Sequence, residues 1–292
     1  MTHRIRLLRL VTVIAIACGL QAHAAERHFI WKVSSAQGAI YLVGSVHILN
    51  ASYYPLASVF TTAFEESDRL VEEVNLAEMM GPPQQMQLLM RGRLPAGTTI
   101  DGVISPEALV EVKRAIEELG LPFEPLRQFK PWMLAITLEG MATVQAGFDN
   151  DFGVDKHFYD MAVASKKAVE GLETVEYQIS RFDELSAELQ ERLLLQTVKE
   201  LGQTKETVTK AADAWKAGDV EMVQALVLDD MKSDPLMYQR LLVERNRAWV
   251  PRLEALLRRP RPSFVVVGAA HLVGDDSVIA MLRAKGYRIA QL

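Results

Sequence analysis

Two apolar runs, far apart in the chain, end in the same four-residue pattern, and this echo constrains the fold more than any other feature. Ala39-Ile40-Tyr41-Leu42-Val43 leads into Gly44-Ser45-Val46-His47, and Phe264-Val265-Val266-Val267 leads into Gly268-Ala269-Ala270-His271. Continuous apolar runs of this length, rich in β-branched residues, read as strands covered on both faces. Each glycine marks a strand end, because glycine tolerates backbone conformations that other residues avoid. Each histidine then stands just past the carboxyl end of its strand, on the rim where open α/β sheets bind ligands. His3 and His23 fall in an N-terminal leader, which leaves His28, His47, His157 and His271. At the average glycine frequency, two of these four would carry a glycine three residues upstream by chance roughly 3% of the time. The plainer alternative is a pair of unrelated strand-end histidines, each satisfied by a backbone carbonyl.

The rest of the chain fits around these strands. Residues 28–33 and 39–43, joined by the turn-rich Ser34-Ser35-Ala36-Gln37-Gly38, read as an antiparallel hairpin that delivers His47 to a strand end. Residues 56–67 have helical spacing, and residues 69–74 read as a third strand. Side chains alternate along a strand, so Glu72 and Glu73 should point to opposite faces, and only one of them should face a site shared with the histidines. From Ala77 onward the pattern is helical. Ser105-Pro106-Glu107 is a helix start, with a capping serine and proline at the first helical position. Lys130-Pro131-Trp132 opens another helix, and residues 184–201 and 205–216 are amphipathic helices. Asp234-Pro235 caps a long helix carrying Glu244, Arg245, Asn246 and Trp249, which Pro251 should kink or restart. Residues 168–170 read as a short strand, residues 275–285 as a helix closed by Gly286, and residues 287–290 as a last strand. The expected architecture is α/β: a small central sheet built from N- and C-terminal strands, with a large helical middle, about residues 77–258, forming a cap over the strand ends. Residues 25–292 would form a single domain.

Composition narrows the function classes. Arg4, Arg6 and Arg9, an apolar stretch at residues 10–20, and Ala22-His23-Ala24 together read as a secretory signal peptide cleaved near Ala24. That expectation puts the mature chain in the periplasm or outside the cell. Cys18 is the only cysteine and lies in the leader, so the mature chain would have no thiol for disulfides, thiolate metal sites or a cysteine nucleophile. Loss of three arginines and no acid moves the net charge from −5 to −8. Such a chain is a poor candidate for nucleic acid or an anionic membrane surface, and no further apolar run reaches membrane-spanning length.

Two imidazoles and one carboxylate on neighbouring strand ends could hold a divalent metal with an open position, the donor set suiting zinc, manganese, cobalt or iron. Such a metal makes hydroxide available near neutral pH. The alternative without metal uses a histidine as general base, oriented by the glutamate. No His-Glu-x-x-His helix, Gly-x-Ser-x-Gly elbow or phosphate-binding glycine loop is present. Residues 149–155 resemble a calcium loop, but the glycine stands at the wrong offset and the closing glutamate is missing, so helix capping by Asp151 is the expectation. Arg245 suits a carboxylate, a phosphate or a developing oxyanion, with a solvated surface arginine as the plain reading. Met79, Met80, Met86 and Met90 would line the core or a cap groove.

The chain resembles the TraB/PrgY/GumN family, which includes the TIKI proteins. The resemblance runs through Phe29-Ile30-Trp31-Lys32-Val33, Gly44-Ser45-Val46-His47, Leu70-Val71-Glu72-Glu73-Val74-Asn75, Gly153-Val154-Asp155, Gly171-Leu172-Glu173-Thr174 with Glu176 and Gln178, Arg245-Asn246 and Gly268-Ala269-Ala270-His271-Leu272. It implies a metal-dependent hydrolase fold related to erythromycin-esterase-like and ChaN-like proteins, with manganese or cobalt favoured in TIKI members. It places the metal on His47, Glu73 and His271, oxyanion stabilisation on Arg245 and substrate positioning on Asn246, with Asp155 or Glu173 as outer carboxylates. The family often has Val-Glu-Val-Asp where this chain has Glu72-Glu73-Val74-Asn75. The function expected from this is a divalent-metal-dependent hydrolase, most readily a peptidase using metal-activated water. The alternatives are a non-catalytic protein that binds a peptide, an iron compound or a glycan intermediate in the same cleft, and a metal-free His/Glu esterase.

Overall fold

The computed structural model describes residues 27–292; the leader read at residues 1–24 lies outside the described residues. Among the described residues, six strands form one mixed sheet in the order β4-β3-β5-β2-β1-β6. They are β1 (Ile30–Ser34), β2 (Ala39–Ser45), β3 (Arg69–Glu72), β4 (Ala168–Gly171), β5 (Ser263–Gly268) and β6 (Arg288–Gln291). The sheet is therefore built mainly from strands near both ends of the sequence, with an extensive helical middle as its cap, as the apolar pattern required.

Strand register positions the site. β5 lies between β2 and β3 and is parallel to both, with Ser45 opposite Gly268 and Glu72 opposite Val266. Three carboxyl ends thus finish together on one edge of the sheet. β2 is almost wholly buried and β5 wholly so, which is why their sequences run apolar without alternation. Burying each large apolar side chain of this kind is worth about 1.5–3 kcal/mol. Phe264 of β5 sits among Phe64 and Phe158, which come from helices on that face of the sheet. A second apolar cluster, including Ile100, Val112, Leu134 and Leu194, lies within the helical middle. No helix among the described residues is long and apolar enough to cross a membrane.

Four local expectations need correcting. β3 ends at Glu72, so strand alternation does not govern Glu73, and both glutamates line the same cleft. Helix Glu244–Leu256 does not restart at Pro251 but runs on through it, and a π-type segment at Gln239–Val243 lies upstream. Asp149, not Asp151, is the capping residue: its carboxylate accepts from the Asp151 N–H at 2.9 Å, and helix Val154–Ala164 starts with no side-chain cap. The glycines of the two echoed motifs serve space rather than unusual dihedrals. Gly268 has φ −50°, and a Cβ on Gly44 would lie 2.3 Å from the Phe29 ring.

Gly44→Ala should therefore lower stability by about 1–3 kcal/mol through overpacking. Gly140→Ala, in a helix and with nothing within 4 Å of the added Cβ, should raise it by about 0.5–1 kcal/mol. Urea denaturation of the two variants measures both; equal effects would show that Phe29 yields freely.

Candidate functional site

The parallel ends of β2, β3 and β5 meet at Gly268. A Cβ built there would stand 3.1 Å from Glu73 Oε1, 3.3 Å from His47 Nε2 and 3.6 Å from His271 Cδ2. Residues more than two hundred positions apart in sequence thus share one point at the sheet edge. Beside it opens a cleft of about 240 Å³. Its polar wall is Ser45, His47, Glu72, Glu73, Asp155 and Gln178; Val74, Leu76, Met79 and Val266 supply the apolar wall.

Each side chain is delivered by identifiable local structure. Gly153 allows helix Val154–Ala164 to dock on the loop after β2: a Cβ there would lie 2.2 Å from the His47 carbonyl oxygen, and Val154 N–H donates to the Val46 carbonyl at 3.1 Å. The first turn of that helix carries Asp155, whose Oδ1 is 3.2 Å from His47 Nδ1 and accepts from Ser45 Oγ–H at 2.7 Å. Trp215 Nε1–H donates to the Gly44 carbonyl at 2.6 Å and secures the same loop from the cap side. On the other side, helix Glu244–Leu256 contributes Arg245, Asn246 and Trp249, all buried.

The hydrogen bonds there assign the protons. Asn246 Nδ2–H donates to the Asp276 carbonyl at 2.8 Å, so its Oδ1 faces His271 Nδ1, 2.5 Å away, and must accept. His271 is then protonated at Nδ1. Its Nε2 lies 3.1 Å from Arg245 Nη1, and since a guanidinium can only donate, Nε2 accepts. Arg245 also donates to Glu73 Oε2, to Glu173 through both Nε and Nη2, and to the Leu241 carbonyl at 3.2 Å through Nη1. All five guanidinium hydrogens are used within the protein. Glu73 Oε1 accepts from Gly268 N–H at 2.7 Å, and Oε2 accepts from Gln178 Nε2–H at 3.1 Å as well as from Arg245. Glu173 Oε2 takes a further bond from Trp249 Nε1–H at 2.8 Å.

Protonation follows from these partners. Burial alone would raise Glu73, but Arg245 beside it and the Gly268 N–H hold the carboxylate far below its usual range. Burial drives His271 down to about 3, consistent with the neutral imidazole just assigned. Burial also raises Glu173, against the opposing pull of Arg245. The Asp155 carboxylate pulls His47 from 6.5 up to about 9. Burial pushes Glu72 up to about 8, with only the Leu76 N–H, 3.3 Å from Oε2, favouring its charged form.

This arrangement overturns the expected metal. Among the described residues no group of three His, Cys, Asp or Glu side chains is placed to hold a metal ion. The physical reason is Arg245. Its guanidinium engages the His271 Nε2 lone pair and Glu73 Oε2, two donors that manganese, cobalt, zinc or iron would need, and puts a fixed positive charge among them. His47, Glu73 and His271 converge, but around an internal cation. The same geometry leaves Arg245 no free hydrogen for a substrate oxyanion, and Asn246 holds His271 by Oδ1 rather than reaching the cleft. Asp155 and Glu173 are each seated against a site residue, His47 and Arg245 respectively. Sequence reasoning allowed only one of Glu72 and Glu73 to face the site, because it ran the strand to residue 74 where β3 stops at Glu72, and it missed Ser45 as a partner of Asp155.

A mixed α/β sheet whose parallel carboxyl ends carry paired Gly-x-x-His motifs around a buried Glu–Arg pair defines the class of this protein. The chain belongs to the TraB/PrgY/gumN family, which it matches over residues 29–291. It is also similar to an uncharacterized protein of Treponema pallidum (strain Nichols), 19% identical over 275 residues that cover 89% of this chain and 81% of the relative. No solved structure matches it.

Two groups should make stability fall with rising pH. His47 has a raised folded pKa, so its stabilising pair with Asp155 is complete below about 6.5 and lost as pH climbs through about 9. Its side chain is 58% exposed, so water screens part of that effect. Glu72 has a folded pKa above its unfolded 4.5, so stability also falls between about 4.5 and 8. Between pH 5 and 6.5 the buried neutral His271 contributes a rise that opposes the Glu72 fall; urea midpoints measured from pH 6.5 to 9.5 should decline, and Asp155→Asn should flatten part of that decline. An unchanged slope in that variant would remove the His47–Asp155 pair from the account.

Proposed function

We propose that this protein is a hydrolase of ester or amide bonds that needs no metal, with His47 as its proton-transfer group. The observation that carries the reading is the orientation of His47: Nδ1 is held by Asp155, while Nε2 faces the point where Glu73, His271 and Gly268 meet. An imidazole fixed at one nitrogen by a carboxylate and free at the other is suited to take a proton from an attacking water and return it to a leaving group. Asp155 orients the ring and stabilises the imidazolium, and Ser45 fixes Asp155. Glu73, Arg245, Glu173, Asn246 and His271 form the rigid wall against which substrate would sit, a preorganised charge array that need not rearrange during reaction. Residues 25–292 would act as one domain carrying the helical insertion at about 77–258, and the leader at residues 1–24 supports a place in the periplasm or outside the cell.

A second reading, a non-catalytic protein that binds a peptide or other small ligand in the same cleft, is favoured by one observation: the hydrogens of Arg245 are all committed internally, as in a structural brace.

Hydrolysis of a panel of p-nitrophenyl esters and peptide anilides separates the two. Activity should survive EDTA, and kcat/KM should rise towards pH 9 as His47 loses its proton and becomes a base. His47→Ala should lower kcat/KM by about 10²–10⁴-fold, the usual contribution of a general base. Saturable binding without turnover would establish the binding protein instead. Activity abolished by EDTA and restored by manganese would refute the metal-free reading.

A further inference from the structure

One buried group in the cleft has no assigned work. Glu72 closes β3, is 2% exposed, and uses Oε2 to accept the Leu76 N–H. Its Oε1 has no hydrogen-bond partner, whereas the other acids of the cleft are answered: Glu73 by Arg245, and Asp155 by His47 and Ser45. A buried carboxyl oxygen left without a donor is costly and calls for an explanation.

The cleft also restricts what can supply the donor. Its volume of about 240 Å³ lies below the roughly 300–1,000 Å³ of pockets that enclose a drug-sized ligand, so it seats the end of a molecule rather than its middle. Val74, Leu76, Met79 and Val266 give that end an apolar wall beside Glu72. Of the acids in the array, Glu72 alone keeps an oxygen without a partner: Arg245 binds Glu73 and Glu173, and His47 and Ser45 bind Asp155, so an added cation has its place at Glu72.

We propose that Glu72 is the specificity-determining residue of the cleft and receives the primary ammonium group at one end of the ligand through Oε1. This rests on the cleft being the binding site under either reading above, and it does not require turnover. An ammonium donates up to three hydrogen bonds, and its charge favours the ionised form of a carboxyl that burial otherwise disfavours. An amino-terminal peptide end and an amino sugar present the same chemistry.

Binding by the full mature chain tests it, with two pairs of probes followed by calorimetry or ligand-observed NMR: leucinamide against N-acetylleucinamide, and glucosamine against N-acetylglucosamine. In at least one pair the free amine should bind at least tenfold more tightly than the acetylated partner, and the pair that discriminates identifies the source of the amine. Glu72→Gln, which keeps the shape and removes the ionisable carboxyl, should erase that preference while leaving the weak binding of the acetylated probe. Should the variant not fold, the ¹³C signal of the Glu72 carboxyl in the wild-type protein should shift with the free amine and not with its acetylated form. Equal binding within both pairs, no binding of any probe, a preference that survives Glu72→Gln, or an unmoved Glu72 signal would each overturn the proposal. Because these experiments read binding and not turnover, their failure leaves the outcome of the hydrolysis assay independent.

Discussion

The pairing of Glu73 with Arg245 is the interaction on which the rest of the site depends. Both side chains are buried, and both are bound by further partners on either side. A buried ion pair is weak evidence for stability, since desolvating two charges offsets most of their attraction, but removing either partner strands the other at a cost of about 3–5 kcal/mol. Its consequence here is geometric. Glu73 leaves the end of β3 and Arg245 sits on a helix some 170 residues later, so the pair ties the helical middle to the sheet edge where both Gly-x-x-His motifs arrive.

The two histidines are treated oppositely by this tie. His271 lies inside the network, donates through Nδ1, accepts through Nε2 and stays neutral. His47 stands outside it, meets solvent and Asp155, and is drawn towards the charged form. A sequence echo thus becomes a pair with one fixed and one available imidazole, because different elements pack against them: helix Glu244–Leu256 on one, helix Val154–Ala164 on the other. Trp249, whose ring lies 4.4 Å from that of His271 and whose N–H bonds Glu173, completes the enclosure of the neutral histidine.

The glycines show how a correct position can rest on an incorrect cause. Gly44 and Gly268 do mark strand ends, but their dihedrals suit any residue; they are needed because Phe29 crowds one and the converging site residues crowd the other. Similarly, alternation is sound for residues inside a strand, yet β3 stops one residue too early for it to separate Glu72 from Glu73. The metal expectation failed for a related reason. Donor types and strand-end positions were legible, but the fate of each lone pair was not, because Arg245 enters from a helix whose placement no local pattern encodes.

By itself the sequence determined the two long apolar strands, their burial on both faces, and the delivery of a histidine to the end of each, because apolar runs of this kind fit the inner strands of a covered sheet, whose carboxyl ends form a ligand rim. Family membership was legible for the same reason, being carried by those strand ends. Only the tertiary structure decided which atoms remain free to act. Hydrogen bonds and charge compensation depend on side chains brought in from other elements at separations near 3 Å, and it is there that an internal guanidinium, rather than a metal, came to occupy the centre of the site.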